Sequence, residues 1–278
     1  MRILICTDGS PLAEAALNFA APLAQAAGAA VTLLGVAPAR RDTASLRAAL
    51  TRAWTRFPAE VEEKVRAGKP AGEILAEEQS GHYDLLVFGS RGRRGLARLI
   101  YGSVASRLAR YARTPLLIVK DEGRPIRRIL ACTGGDRPGE QVARWAGQVA
   151  RWQKAEATIL HVMSQLALSS DSKVDELNET AEQAIARATR EGQHLARVLE
   201  IMREQGATRV QPKLRHGLVL EEIVAEANAG DYDLVAIGAH AAPELPAGWS
   251  WLRDYVFDDV ADQIISAVRR PVLVVRGK

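Results

Sequence analysis

Cysteine is almost missing from this chain: Cys6 and Cys132 are the only two in 278 residues. Two thiols cannot build a disulfide framework or a zinc ribbon. Aromatic residues are scarce too, at 5%, which argues against a stacking platform for single-stranded nucleic acid. No unbroken apolar run reaches the roughly 20 residues of a membrane span. The opening MRILICTD meets an acid too early for a secretory signal. The excess of one charge sign is small, 37 Lys+Arg against 33 Asp+Glu, or +4. That balance suits an anionic ligand and does not demand nucleic acid. No GxxxxGK(S/T), HExxH or GxSxG motif occurs. His82, His161, His194 and His216 show no pairing with a nucleophile. These absences predict a cytoplasmic protein without a nucleic-acid or membrane partner.

What is present is ordinary globular composition, 47% hydrophobic and 25% charged. Wholesale disorder is excluded, and the length predicts about two domains. The chain is also written twice. RILICTD at 2–8 matches RILACTG at 128–134 in five of seven positions, and 68–89 matches 217–238 in ten of 22. RTPLLIV at 113–119 corresponds to RRPVLVV at 269–275. Three blocks in the same order indicate tandem duplication. The predicted domains are 1–120 and 125–278, joined by a polar segment with Gly and Pro. The second copy carries about 23 extra residues before its third strand and about seven in its later loop.

Each half alternates apolar runs with helical patterns. In the first, 3–6, 31–36, 84–88 and 116–119 read as buried strands, and 61–65 as a half-buried edge strand. Ser10 and Pro11 form an N-cap and first helical position ahead of an apolar stripe. Residues 44–54, 71–80 and 104–112 read as further helices. Continuous apolar strands between helices predict an α/β fold with a parallel sheet covered on both faces. In the second half, about 173–205 reads as one long helix, with Val174, Leu177, Ala181, Ile185, Ala188, Leu195 and Leu199 as its stripe.

Ligands of open parallel sheets sit beyond the strands' carboxyl ends. Directly after Phe88 come Gly89, Arg91 and Gly92, then Gly102 and Ser103 at the start of a helix. Glycines let backbone approach an anion closely. A helix start offers free N–H groups and the positive end of the dipole. Arg91, Arg93, Arg94 and Arg98 add charge. The joint spacing G-x-x-G-x9-G-S describes a phosphate cradle, where any single glycine pair would read as a basic turn.

At this point the chain resembles a tandem universal stress protein. That family's nucleotide pattern, G-x-x-G-x9-G-(S/T), is met by Gly89, Gly92, Gly102 and Ser103. The opening ILICTDGS and the closing PLLIV are family-like. The resemblance implies two open, doubly wound, Rossmann-like domains of the adenine nucleotide alpha hydrolase type. It implies ATP, with Mg²⁺ on its phosphates, or another adenine nucleotide. It places Asp8 against the nucleoside, Val36 beside adenine by its backbone, and Phe88 on the pocket wall. Gly102, Ser103 and Val104 would hold phosphates. The plainer reading of Asp8 is a turn or capping residue before Ser10.

The second copy serves as an internal control. Asp8 aligns with Gly134, Gly92 with Ala241, and Gly102-Ser103 with Asp258-Asp259. Carboxylates in the phosphate position repel the ligand, at about 1 kcal/mol per charge pair at 4 Å in water and more near a surface. ATP is therefore expected in the first half only. The segment 241–259, with Trp249, Trp251, Tyr255 and Phe257, reads as a structural remnant or a surface for an unknown protein partner. His240 with Asp258-Asp259 is a weak metal candidate against helix caps. Both cysteines read as core residues. The expected role is a nucleotide-responsive regulator in stress adaptation; a slow ATPase and a scaffold without nucleotide are the rivals. The last strands are expected to pair inside the chain as a pseudo-dimer, which leaves a homodimer open.

Overall fold

A computed structural model of the chain describes residues 1–37, 43–57, 60–90, 103–120, 124–134, 137–164, 179–239 and 260–276, with backbone only at 45, 103, 137 and 164. The first half runs β1 (Arg2–Thr7), α1 (Pro11–Ala27), β2 (Ala30–Ala37), α2 (Thr43–Trp54), β3 (Val61–Ala67), α3 (Pro70–Gly81), β4 (Leu85–Ser90), α4 (Ser103–Tyr111) and β5 (Leu116–Lys120). The second runs β6 (Arg128–Cys132), α5 (Arg137–Gln153), β7 (Glu156–Ser164), α6 (Ala181–Ala186), α7 (Arg190–Glu204), β8 (Val210–Gly217), α8 (Val219–Ala229), β9 (Leu234–Ala239), α9 (Val260–Ala267) and β10 (Val272–Arg276).

The strands form one ten-stranded sheet in the order β3-β2-β1-β4-β5-β10-β9-β6-β7-β8. Each half repeats the same order, 3-2-1-4-5, and the halves meet at their fifth strands. That seam is antiparallel, with Val272 opposite Ile118, Leu273 opposite Leu117 and Val274 opposite Leu116; the other pairings are parallel. Alternate side chains feed opposite faces, so Ile3 and Ile5 join one core and Leu4 and Cys6 the other. One core holds α1, α2, α5 and α7, the other α3, α4, α8 and α9, and both continue across the seam.

Local signals explain the element ends. Ser10 Oγ accepts the Ala13 amide, Pro11 opens α1, and Gly28 closes it at φ 57 in the left-handed region. An N-cap hydroxyl of this kind is worth about 1 kcal/mol. The half-exposed edge strand expected at 61–65 is β3, at one end of the sheet.

Two expectations need correction. β4 extends through Gly89 and Ser90, which pair with Val119 and Lys120, so the first glycine of the loop motif belongs to the strand. The long helix expected at 173–205 is broken. Residues 173–178 lie outside the described residues, with Val174 and Leu177 among them, and the remainder forms α6 and α7 around a turn at Ala188, φ 52. Two N-caps cause the break. Thr180 makes a reciprocal capping box with Gln183, and Thr189 Oγ accepts the Gly192 amide at 3.2 Å. Ala188 is exposed, whereas Ala181, Leu195 and Leu199 are buried.

A buried carboxylate fixes α3 over the sheet. Glu77 accepts from Lys64 Nζ at 2.9 Å, Tyr83 Oη at 2.8 Å and Arg66. Burial alone would raise its pKa, but the hydrogen bonds from Lys64, Tyr83 and Arg66 hold it below the usual carboxylate value. Glu226 repeats this on α8 with Lys213, Arg215 and Tyr232, and its pKa is lowered against the same burial.

Candidate functional site

Strand order reverses between β1 and β4, and ligand crevices of open α/β sheets form beyond the carboxyl ends at such points. A cleft of about 640 Å³ opens there. Small-molecule sites span about 300–1,000 Å³. β1 contributes Cys6 and Thr7, Asp8 follows directly after it, β2 contributes Val36, and β4 contributes Phe88, Gly89 and Ser90. α3 adds Pro70 and Ile74; α4 adds Val104 and Ala105. The cleft is thus apolar along Val36, Ile74 and Phe88 and polar at Asp8, Ser10 and Ser90. It also faces the starts of α1 and α4, where helix amides lack intrahelical partners.

Asp8 shapes the turn into α1 and also lines the cleft. Its Oδ1 accepts the Ser10 amide at 2.9 Å, while Thr7 Oγ accepts the Gly9 amide at 3.1 Å. Gly9 takes φ 74, which lets the chain turn from β1 into α1. The Asp8 side chain is nevertheless exposed and lines the cleft. Gly89 is required for a different reason than loop freedom. A Cβ there would sit 2.3 Å from the Leu12 carbonyl oxygen, so only glycine lets α1 lie across the end of β4.

Of the residues picked from sequence, Asp8, Val36, Phe88, Gly89 and Val104 converge on the cleft. Ser103 opens α4. Arg91, Gly92 and Gly102 lie outside the described residues, as do Arg93, Arg94 and Arg98. Sequence reasoning missed Pro70 and Ile74. The signal was there: Pro70 marks a helix start at the sheet's carboxyl edge, and Ile74 recurs as Ile223. Cys6 is buried, and burial pushes its thiol well above its ordinary pKa, which fits the core role expected of it. Cys132 behaves likewise.

The second half has its own cleft of about 320 Å³, half the volume. Cys132, Thr133, Val162, Ile237, Gly238 and Val260 stand where Cys6, Thr7, Val36, Phe88, Gly89 and Val104 stand in the first. Gly134 replaces Asp8, so no carboxylate is found among its described lining residues. His240 and 241–259, including the Asp258-Asp259 pair and the aromatic cluster, lie outside the described residues.

Behind this cleft the structure brings together two histidines that looked unrelated. His161 Nδ1 lies 2.9 Å from the Thr133 carbonyl oxygen, and His194 Nε2 lies 3.1 Å from Thr133 Oγ. The rings are 4.9 Å apart. His194 therefore meets a buried threonine hydroxyl. The contact joins α7 to the end of β6 across 61 positions. No local spacing could have shown it. Among the described residues no group of three or more metal-ligating side chains occurs, and no helix is long and apolar enough to cross a membrane.

A doubly wound parallel sheet with a cleft at its switch point defines an α/β ligand-binding fold, here present twice. The sequence profile of the universal stress protein family matches residues 1–120 and again 125–276, so the chain belongs to the universal stress protein family in tandem form. The chain is similar to the universal stress protein MJ0531 of Methanocaldococcus jannaschii, at 43% identity over 53 residues. That stretch is 19% of this chain and 31% of the relative. A Mycolicibacterium smegmatis universal stress protein is 31% identical over 136 residues, 43% of this chain and 46% of the relative. The chain thus spans less than half the length of these two relatives. A solved universal stress protein from Archaeoglobus fulgidus shares the fold at TM-score 0.73 and 17% identity, covering 100% of this chain and 98% of its own.

Proposed function

We propose that the first half binds ATP, or another adenine nucleotide, and that the protein acts as a nucleotide-responsive regulator in stress adaptation. One observation carries this reading: the 640 Å³ cleft at the first switch point gathers Asp8, Val36, Phe88, Gly89 and Val104 around one space. The apolar wall of Val36, Ile74 and Phe88 suits a base. Asp8 suits a ribose hydroxyl, as an acceptor. The start of α4 suits phosphates, with Ser103 as its first residue and Gly102, Gly92 and Arg91 preceding it in sequence.

Mg²⁺ rides on the nucleotide phosphates in this reading. Magnesium commonly takes substrate phosphates, waters and one or two carboxylates, without a protein cage. The stress role comes from family membership, and the restriction of ATP to the first half from Gly134, Asp258 and Asp259 in the second. Binding is favoured over turnover because Asp8 is the one carboxylate among the described residues lining the cleft, and one of its oxygens is engaged by Ser10. Hydrolysis needs a group to orient water.

Native mass spectrometry of freshly purified full-length chain, with and without added ATP, tests the proposal. An adduct of one adenine nucleotide per chain supports it. A chain that stays unliganded at millimolar ATP refutes it.

A further inference from the structure

At the seam, each half closes the carbonyl end of a helix in the other half. Lys120, the last residue of β5, is buried, and its Nζ donates to the carbonyls of Ile265 and Val268 at the end of α9. Arg276, the last residue of β10, donates from Nη2 to the Ala109 carbonyl near the end of α4. Lys120 and Arg276 hold equivalent positions in the two repeats, so the exchange is reciprocal. Between these contacts Arg110 Nη2 of α4 meets Asp262 Oδ2 of α9 at 3.1 Å, both side chains largely covered.

α4 therefore links the first cleft to the second half. Its first turn supplies Val104 and Ala105 to the first cleft. The helix packs on α3 of its own half, and its last turn also meets Arg276 and Asp262 of the second. The helix has nine residues. Helices this short are marginal alone, and the last four carbonyls of any helix lack intrahelical partners. A cation there satisfies a carbonyl and complements the dipole.

We infer that Arg276 is a positioning residue for the nucleotide site of the first half. The inference rests on the reading that ATP occupies that cleft. Arg276 fixes α4 along its axis from about 9 Å away, the six residue steps from Ser103 to Ala109 at 1.5 Å each. The amides at the start of α4 are thereby held in register with the phosphates. The walls from β2, α3 and β4 do not depend on this contact. The loss of Arg276 therefore weakens recognition of the phosphates and leaves that of the nucleoside intact. The second half completes the first half's site without holding a nucleotide itself.

Calorimetric titration of full-length wild type, Arg276→Gln, Arg276→Lys and Lys120→Met with ATP and with adenosine tests this. Arg276→Gln is expected to weaken ATP binding about two- to fivefold, the range of a helix-terminal cation, with adenosine affinity unchanged. Arg276→Lys restores most of the loss. Lys120→Met lowers the melting temperature but keeps wild-type ATP affinity, because it caps the helix of the other cleft. Equal ATP affinity in wild type and Arg276→Gln overturns the inference. So does a parallel loss of ATP and adenosine, or an equal loss in Lys120→Met. If wild type binds adenosine and ATP not at all, the site reading fails first and the inference with it. Hydrogen exchange on the wild-type chain is independent of variant folding. ATP is expected to slow exchange in α4 and also in β10; protection confined to the first half contradicts the inference.

Discussion

The Asp8 carboxylate accepts the Ser10 amide at 2.9 Å through Oδ1, so one side chain both shapes the turn into α1 and lines the cleft. The two roles separate by substitution. Asn keeps the turn, since its side-chain oxygen accepts the same amide. Asp8→Asn should therefore melt within a degree or two of wild type. Asp8→Ala loses a hydrogen bond from a charged group, worth about 1.5–3 kcal/mol. ATP affinity should fall about tenfold or more in calorimetric titration. Unaltered affinity in Asp8→Ala would remove Asp8 from the site.

Gly89 and Gly238 hold equivalent positions under different constraints. A Cβ on Gly89 meets the Leu12 backbone oxygen at 2.3 Å; one on Gly238 meets the Pro138 Cβ at 3.1 Å. Backbone cannot yield as a side chain can. Gly89→Ala should cost about 1–3 kcal/mol, the range of an overpacked core, and Gly238→Ala clearly less. Urea denaturation midpoints measure both. A larger cost at Gly238 would contradict the close approach of α1 to β4.

The Glu77 and Glu226 networks set the pH range of stability. Each carboxyl has a folded pKa below its ordinary value of 4.5, because hydrogen bonds from Lys, Tyr and Arg outweigh burial. Below pH 4.5 the unfolded chain binds more protons at these groups. Their contribution, complete above that value, is lost as pH falls through the lowered folded value. At the alkaline end, burial and the bond to glutamate raise Tyr83, and push Tyr232 up to about 12, from an ordinary 10.0. Stability from the tyrosines is lost as pH rises beyond 10. Denaturation midpoints between pH 3 and 7 should fall on the acid side, and Glu226→Gln should flatten that fall. An unchanged acid limb in Glu226→Gln would contradict this assignment.

The seam predicts the behaviour of a lone half. Residues 1–120 by themselves leave β5 as an exposed edge where β10 lay, with Leu116, Leu117 and Ile118 paired to β4 on one side only. An exposed apolar edge strand recruits another strand. Light scattering on the purified fragment should give a dimer or larger species. A stable monomer with wild-type melting would show that the halves do not need each other's edge.

Much of this fold was legible because the signals were local or repeated. Ser10-Pro11 marks the start of α1, the apolar runs mark the parallel strands, and the matching blocks at 2–8 and 128–134 mark the duplication. At 173–205 the apolar spacing persists through Ala181, Ile185, Leu195 and Leu199 and so suggests one helix, while two threonine caps interrupt the backbone. Glycine usually signals a turn, so Gly89 looks like loop in sequence; its partner is the backbone of Leu12, far from it in the chain. The contacts of Lys120, Arg276, His161 and His194 depend on tertiary placement, which no spacing encodes.

The central claim is that a duplicated fold keeps one nucleotide site. Calorimetric titration of the full-length chain with ATP and magnesium counts sites directly. The account predicts one ATP per chain, and a dissociation constant raised about tenfold or more in Asp8→Ala. Two equivalent ATP sites per chain would contradict it.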